Sequence, residues 1–571
     1  MTTATANTIR KLARIHDKAT DKYLEVIDFP VSEIQNNRLE LLPSEVSDPT
    51  VFARKLRDAG AILEKDKARL KEQLERVART DPPEEWVYED HTGWIEGGKA
   101  FILTNGVIGD LKSNIVGVNQ WQDLKDPSGK LSISGGWKPW RDAVADTAKN
   151  STTMMLCISA ALGAPLLTFA GIQPFCLNLF GPTRAGKSVA TVAASSVIGI
   201  GREKDLISWK LTDARLEQRL PEFNDAVFPI DDLDKMKGKE KDKYQRLRDL
   251  SYGISHGFGT ARHSQWVTAQ NALPKSWSSI VLTSWQFSVR QLASKLKIER
   301  EPGEALRLID VPAVFEGQDH IFDRLPSDVS NVEDWKSRMF AAIAKGCEEN
   351  HGKAFRKYIK SLIARQATLK GDTVNTANAF VSAACDKFDG AIARDVARKF
   401  GVIYAGGLFG IQSGLLPWTE AELRDAILKS FLGARELLPD SGVLLRSGIS
   451  MLTTVRRQLP KVSTPLKKCD KNRDYKKLIG YRFSTAEENR YRFRYEHYCR
   501  MFVSGEQRHQ ITNRLIEKNH ITLATPKKGT ERRPQEQFIW PDGSRPRSIE
   551  LVFKKKKPSP DPKGPHLKKR E

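Results

Sequence analysis

Through the first eighty residues, charged and apolar positions recur at helical spacing. The stretch VFARKLRDAGAILEKDKARLKEQLERVART sets Phe52, Leu56, Ile62, Leu63, Leu70 and Leu74 on an amphipathic pattern, and Asp81-Pro82-Pro83 ends it. Residues 1–82 are therefore expected to form an N-terminal helical region. From Trp86 to about Lys138 the pattern shortens to runs such as KAFILTNGVIG and SNIVGVNQW, broken by Gly and Asn. These predict the strands of a small β-rich or mixed domain over 83–139. Trp140 to Thr168 returns to helix and leads into an apolar strand at Phe175–Phe180. Strands and helices then alternate to about residue 320, as in a parallel-sheet α/β domain, bounded here at 140–330. Residues 331–438 are expected to be all-helical, from the spacing in FAAIAKGCEENHGKAFRKYIKSLIARQ and AELRDAILKSFLGAREL. A last globular piece follows over 439–553. The end, KKKKPSPDPKGPHLKKRE, cannot bury a core, so 554–571 is expected to be a disordered basic tail.

One stretch challenges a soluble reading, because Ser151 to Thr183 carries no charge and is long enough to span a bilayer. Gly163-Ala164-Pro165 interrupts it, Ser and Thr are scattered through it, and it runs into a glycine-rich loop. A buried helix, a turn and a central strand account for it better.

Composition adds one asymmetry. Hydrophobic residues make up 40% and charged ones 28% of the 571, which excludes wholesale disorder. The net charge is +22, and residues 441–571 hold 32 Lys and Arg against 13 Asp and Glu. The end therefore carries +19 and the first 440 residues only +3. A basic module on a near-neutral body points to a polyanion, most often nucleic acid. Six dispersed cysteines (Cys157, Cys176, Cys347, Cys385, Cys469, Cys499), none at C-x-x-C spacing, argue against a disulfide framework or a zinc ribbon. They fit a reducing cytosol. The start, MTTATANTIRKLAR, has no apolar signal-peptide stretch, and no membrane partner is expected.

The sharpest chemical motif is Gly181-Pro182-Thr183-Arg184-Ala185-Gly186-Lys187-Ser188, a full match to G-x-x-x-x-G-K-[ST]. FCLNLF before it is an apolar strand and SVATVAASSVIG after it is a good helix former. At such a turn, backbone amides and the helix N-terminus hold phosphate oxygens. Lys187 would neutralise the β- and γ-phosphates of ATP, and the Ser188 hydroxyl would ligate Mg²⁺. AVFPIDD, 44 residues after Lys187, supplies an acidic strand beside the loop. Asp231 would bind the metal through water, and Asp232 would orient or deprotonate the attacking water. Pro229 in that strand predicts a bulge. Asp232 is one methylene shorter than the usual Glu, which predicts slow hydrolysis. A third strand, SIVLTS, ends in Ser284, placed to sense the γ-phosphate.

The run GGWKPWRDAVADTAKNSTTMMLCISAALGAPLLTFAGIQPFCLNLFGPTRAGKS resembles domain-of-unknown-function family 927, whose members are P-loop ATPases of plasmids, prophages and genomic cassettes. The likeness continues through ISWKLTDARLEQRLPEFNDAVFPIDDL, YGISHGFGTAR, LRLIDVPA and VARKFGVIYAGGLFG, over about residues 85–435. Members of that family are similar to AAA+ self-loading replicative helicases, so the resemblance implies a ring-forming, hexameric DNA motor in which an Arg completes the neighbouring subunit's site. Arg307, Arg398 and Arg262 are the candidates for that Arg or for an equivalent sensor. The chain departs from the family at Asp231-Asp232, where Asp-Glu is usual. It departs also at Trp285-Gln286 in place of Gly-Glu, and at Thr260 in place of Lys.

Three basic features could meet DNA. Lys235, Lys237, Lys239, Lys241 and Lys243 alternate after the acidic strand, as a solvated loop also would. GTARHSQWVTAQNALPKSW carries Arg262, His263 and Lys275 where related helicases project a hairpin into the ring channel. In the last domain, the helix GEQRHQITNRLIEKN and the strands HITLA, EQFIW and SIELVF follow the winged-helix order. Arg508, Arg514, Lys518, Lys527, Lys528, Arg532 and Arg533 would supply phosphate contacts there. NRYRFRYEHYCR is expected to be a packed amphipathic helix.

The expected architecture is thus an α/β P-loop NTPase core, AAA+-like with a parallel sheet. N-terminal helical and small β-rich domains, a helical lid and a C-terminal winged-helix-like basic domain surround it. The expected function is an ATP-dependent DNA translocase, a replicative helicase or initiator of a mobile element working as a homo-oligomeric ring with ATP and Mg²⁺. Two alternatives remain open at this point: an ATPase switch that loads or remodels replication proteins, and an ATP-binding DNA scaffold with little turnover.

Overall fold

Residues 10–41 fold as strands, not helix. β1 (Arg10–Asp17) buries every second residue, Lys11, Ala13, Ile15 and Asp17. It pairs antiparallel with β2 (Lys22–Pro30), which pairs with β3 (Asn36–Leu41). The expectation of a helical region over 1–82 is corrected here, and the reason is chemical. Lys11 and Glu25 sit buried at 3.7 Å from each other, and the Lys11 ammonium also donates to the Ala78 carbonyl. A buried face that carries charge hides its period of two. Helices appear only afterwards, at Pro43–Ser47, Pro49–Asp58 and Lys67–Arg79, and the Asp48 and Asp66 carboxylates accept the first-turn amides of the last two. Phe52, Leu56, Leu70 and Leu74 are buried as the spacing predicts, whereas Ile62 is exposed. β4 (Glu84–Glu89) and β8 (Ile115–Val118) extend the sheet to the order β3-β2-β1-β4-β8. A small antiparallel sheet of β5 (Gly93–Ile95), β6 (Ala100–Leu103) and β7 (Gly106–Ile108) lies between them in sequence.

This computed structural model describes residues 8–18, 20–32, 35–109, 114–118, 128–231, 233–259, 276–298, 300–315, 318–327, 329–386, 389–438, 443–462, 477–502, 505–521, 536–542 and 544–555. Two units emerge, Met1–Asp440 and Ser441–Glu571.

The centre of the first unit is a parallel sheet of β9 (Phe175–Phe180), β10 (Ile207–Ser208), β11 (Val227–Asp231), β12 (Ile280–Trp285) and β13 (Leu308–Pro312), in the order β10-β11-β12-β9-β13. The acidic strand β11 therefore does not adjoin the loop strand β9, because β12 runs between them. Nor is there a bulge at Pro229. The β11–β12 register passes through Pro229 opposite Leu282 without a shift, and β10 pairs only with Ile230 and Asp231. A proline is tolerated there because β10 is too short to reach it.

The uncharged stretch before β9 is the helix Thr152–Gly163, a 3₁₀ turn and a short helix ended by Gly171 at φ +65°. Thr152–Ala170 is long and apolar enough to cross a membrane, but most of it is buried inside the unit. Every residue of the helix Thr152–Gly163 is buried. It crosses the helix Ala391–Gln412 so closely that Gly406, against the Gly163 backbone, has no room for a Cβ. Residues 332–435 are helical as expected, in Val332–Glu349, Lys353–Ala364, Gln366–Ala384, Ala391–Gln412 and Glu420–Arg435.

The second unit has the antiparallel sheet β14 (Gly480–Ser484), β15 (Glu488–Arg494), β17 (Arg547–Lys554) and β16 (Glu536–Gln537), in the order β14-β15-β17-β16. Helices Val443–Gln458, Tyr495–Arg500 and Gly505–Glu517 accompany it. The expected helix NRYRFRYEHYCR is corrected: its first half is strand β15 and only YEHYCR is helical. Phe493 and Tyr498 bury into the core with Ile511, Leu515, Ile549 and Leu551, so the packing role stands. Residues from 556 onward, which hold most of the expected tail, lie outside the described residues.

Candidate functional site

β9 delivers its buried Leu177 and Leu179 into the core and ends at the loop Gly181–Gly186. The helix Lys187–Ile198 starts directly behind it. Gly186 caps that helix at φ +101°, and a Cβ there would lie 2.5 Å from the Phe340 ring. Both facts require glycine. Arg184 also takes a left-handed conformation, at φ +65°, on the exposed tip Pro182–Arg184. The loop is held from two sides: the Gly181 amide donates to the Trp285 carbonyl, and the Ile321 amide donates to the Ala185 carbonyl. Ile321 and Phe322, with Phe340 and Trp335 packed on Phe322, form an apolar wall behind the loop. Sequence reasoning missed this wall, whose only signal is an apolar pair in the polar stretch GQDHIFDRLPS.

Lys187 folds back over the loop, its ammonium donating to the Gly181 and Pro182 carbonyls at 2.8 and 2.7 Å. Next to it, three side chains from three elements converge. Asp231, at the end of β11, is only 4% exposed. Its Oδ2 accepts from the Ser188 hydroxyl at 3.3 Å and its Oδ1 from the Ser284 hydroxyl at 2.7 Å. Since β12 lies between β11 and β9, Ser284 reaches the acid from the strand in between. The loop thus sets the N-terminus of a helix and an ammonium beside a buried carboxylate and two hydroxyls. The first group attracts an oxyanion, and the second offers hard oxygen donors of the type that divalent cations take.

Beyond Ser284, the Trp285 indole and the Gln286 amide both donate to Asp234, at 2.8 Å and 3.1–3.2 Å. Asp234 therefore anchors the two residues that depart from the family pattern. Beneath the sheet, the buried Asp310 accepts from Asn178 on β9, from the Val289 and Arg290 amides and from Arg300. Arg300 also pairs with the buried Glu304, which accepts from Tyr244. Burial pushes the Glu304 carboxyl up, and the Arg300 charge opposes that.

Arg307 and Arg398 are not brought to this loop. Leu308 pairs with Cys176 and Pro312 with Phe180, so Arg307 sits at the far end of β13, about 15 Å along the strand. There it stacks on Tyr252 at 4.5 Å and donates to the Gly303 carbonyl. Arg398 is exposed beside Lys399, whose ammonium reaches the Leu306 carbonyl at that same end. A sensor role within the same chain is thereby corrected for both. Asp232 lies outside the described residues, as do Thr260, Arg262, His263, Lys275, Lys527, Lys528, Arg532 and Arg533.

Of the remaining candidates for nucleic acid, Arg508 and Arg514 lie on the helix Gly505–Glu517, with Lys518 just beyond it. Lys518 is exposed and Arg514 pairs with Glu517 at 3.1 Å. Several other cations of this unit are used inside it. Arg490 and Arg492 pair with the buried Glu550, Arg456 lies over Phe553 at 4.0 Å, and Arg494 over Trp540 at 4.4 Å.

Residues 2–273 match the family model described as "Domain of unknown function (DUF927)". The match begins well before residue 85 and ends before LRLIDVPA, so it is shifted toward the N-terminus relative to the sequence likeness. No curated protein matches the chain. Among solved structures, SCCmec type IV Cch, an active helicase, aligns with a TM-score of 0.52 at 16% identity, over 96% of this chain and 93% of its own. That likeness shows a shared fold. Two apo structures of the NrS-1 C terminal region align at TM-scores of 0.26 and 0.24, both at 10% identity. The first covers 68% of this chain and 83% of its own, the second 65% and 75%, and both scores are too low to show a common fold.

Proposed function

We propose that this chain, which carries the DUF927 domain, is an ATP-dependent DNA translocase: a ring-forming replicative helicase or initiator of a mobile genetic element. One observation carries the reading. Ser188, Asp231 and Ser284 meet beside a glycine-rich loop over which the lysine ammonium is folded. ATP phosphates would take the loop amides and draw Lys187 from the Gly181 and Pro182 carbonyls. The Ser188 hydroxyl and the Asp231 carboxylate would hold Mg²⁺, which would supply neutralisation of phosphate charge. Ser284 holds the Asp231 carboxylate oriented toward that position, and Asp232 is the candidate to orient the attacking water.

Arg307 and Arg398, remote from their own loop, are left the trans role, at the site of a neighbouring copy in the ring. The fold shared with an active helicase supports a motor, and the basic second unit supports DNA as its track. Arg508, Arg514 and Lys518 would supply winged-helix-like phosphate contacts. The place of work on this reading is the cytoplasm. The test is unwinding of a forked duplex by the full chain with ATP and Mg²⁺, alongside light scattering of its mass. Strand separation by a species several times 64.2 kDa is expected. A monomer that turns over ATP but never separates strands would make the chain a switch that remodels other proteins.

A further inference from the structure

The segment GGWKPWR does nothing at the loop, yet it sets an aromatic ring among basic side chains. The half-buried Trp137 ring is ringed by cations: Lys357 at 5.4 Å, Lys138 at 5.7 Å and Arg141 at 5.8 Å from its centroid. Lys353, Lys357 and Lys360 follow one another at i, i+4 and i+7, on one face of the helix Lys353–Ala364. Lys138, Lys353, Lys357 and Lys360 make no ion pair among the described residues. The acids close by in sequence are engaged: Asp142 with Arg141, Glu349 with Lys345 and Glu348 with Arg202. Lys138 and Lys357 beside the indole, and Lys353 and Lys360 on the same helix face as Lys357, repel one another, an arrangement that a polyanion relieves.

The patch is also anchored by hydrogen bonds, and it hangs on the nucleotide-loop helix. Arg356 fixes the lysine helix to the β6–β7 hairpin by donating to the Val107 and Asn105 carbonyls. The Trp140 indole donates to the Ser196 hydroxyl at 2.8 Å, and the Gly352 amide donates to the Ser196 carbonyl at 2.9 Å. Both halves of the patch are thus tied to one residue. Ser196 stands nine residues along the helix from Lys187, roughly 13 Å from the phosphate end. A five-residue π-helical segment, Arg141–Ala145, follows immediately, where the backbone can change its winding.

We propose that Trp137, with Lys138, Lys353, Lys357 and Lys360, binds single-stranded nucleic acid, the indole stacking a base and the ammonium groups meeting phosphates. The inference rests on the translocase reading and deepens it by naming a second contact outside the basic C-terminal unit. Ser196 then links strand occupancy to the helix that begins at Lys187.

The test uses the full chain, a fluorescein-labelled thirty-nucleotide oligo(dT), and anisotropy over a salt series. Trp137→Ala is expected to weaken binding at least about fivefold, the lower end for removal of one stacked base. The triple change Lys353→Gln, Lys357→Gln, Lys360→Gln should flatten the salt slope by about 2, near 0.7 for each phosphate of a single strand that is no longer neutralised. ATP turnover without DNA should match the wild type in both variants, which reports that each has folded. Wild-type affinity and slope in both variants, with DNA-stimulated turnover intact, would overturn the inference and leave the translocase reading standing. A lysine effect with Trp137→Ala unchanged would overturn the stacking assignment. No binding or stimulation in the wild type itself would overturn both.

Discussion

Asp225, next to the start of β11, is a buried carboxyl held in a left-handed conformation at φ +53°. It accepts from the Thr168 hydroxyl and the Trp94 amide, and so ties β5 and the short helix after Pro165 to the acidic strand. Burial, the largest influence, pushes its pKa from 3.8 up to about 6, against those hydrogen bonds and the nearby His91. Because the folded value is the higher one, the unfolded chain ionises first. The stability is fully present below about pH 3.8 and is lost as pH rises through about 6. Two pKa units amount to about 3 kcal/mol in all, of which about 2 kcal/mol falls between pH 4.5 and 7.5.

Asp225→Asn keeps an acceptor for Trp94 and removes the titration. Urea unfolding of wild type and variant at the two pH values isolates this group, since all other titrations cancel in the double difference. The variant should gain about 2 kcal/mol relative to wild type on going from pH 4.5 to 7.5. A double difference within about 0.5 kcal/mol of zero, well inside the ordinary scatter of a surface change, would refute the reasoning.

Two further outcomes follow from the site and its support. Ser284→Ala removes the 2.7 Å hydrogen bond to the buried Asp231, worth about 2 kcal/mol for a charged acceptor, so ATP turnover should fall roughly thirtyfold. Binding of a fluorescent ATP analogue should stay within about threefold of wild type, because the Ser284 hydroxyl acts through Asp231. Arg300→Met strands the buried Asp310 and Glu304 without their cation and should destabilise the first unit by about 3–5 kcal/mol. Thermal unfolding followed by circular dichroism checks it, with an unchanged midpoint as the contrary result.

Legibility in the sequence follows how local each signal is. Gly181–Ser188 is readable because loop, lysine and hydroxyl are adjacent and the flanking strand and helix patterns are pure. Asp231 and Ser284 are readable as polar ends of apolar strands, and the structure joins them through hydrogen bonds to one carboxylate. The order of the strands is not, since nothing in either strand says that β12 lies between β9 and β11. β1 and β2 escape because Lys11 and Asp17 in the first and Glu25 in the second occupy inward positions where a strand pattern wants apolar residues. β15 escapes for a related reason: its arginines at 490 and 492 are satisfied by Glu550, about sixty residues later in the chain. Trp137 is visible as a motif, but its surroundings are not, because Lys357 comes from a helix more than two hundred residues away.

The central claim is that ATP bound at this loop is hydrolysed and that DNA governs the rate. Steady-state ATP turnover, measured with and without single-stranded DNA and with Lys187→Ala as the blank, tests it most directly. Turnover that rises severalfold with DNA and vanishes in Lys187→Ala is the predicted result. ATP binding without turnover, whether or not DNA is present, would contradict it and make the chain a DNA-binding scaffold.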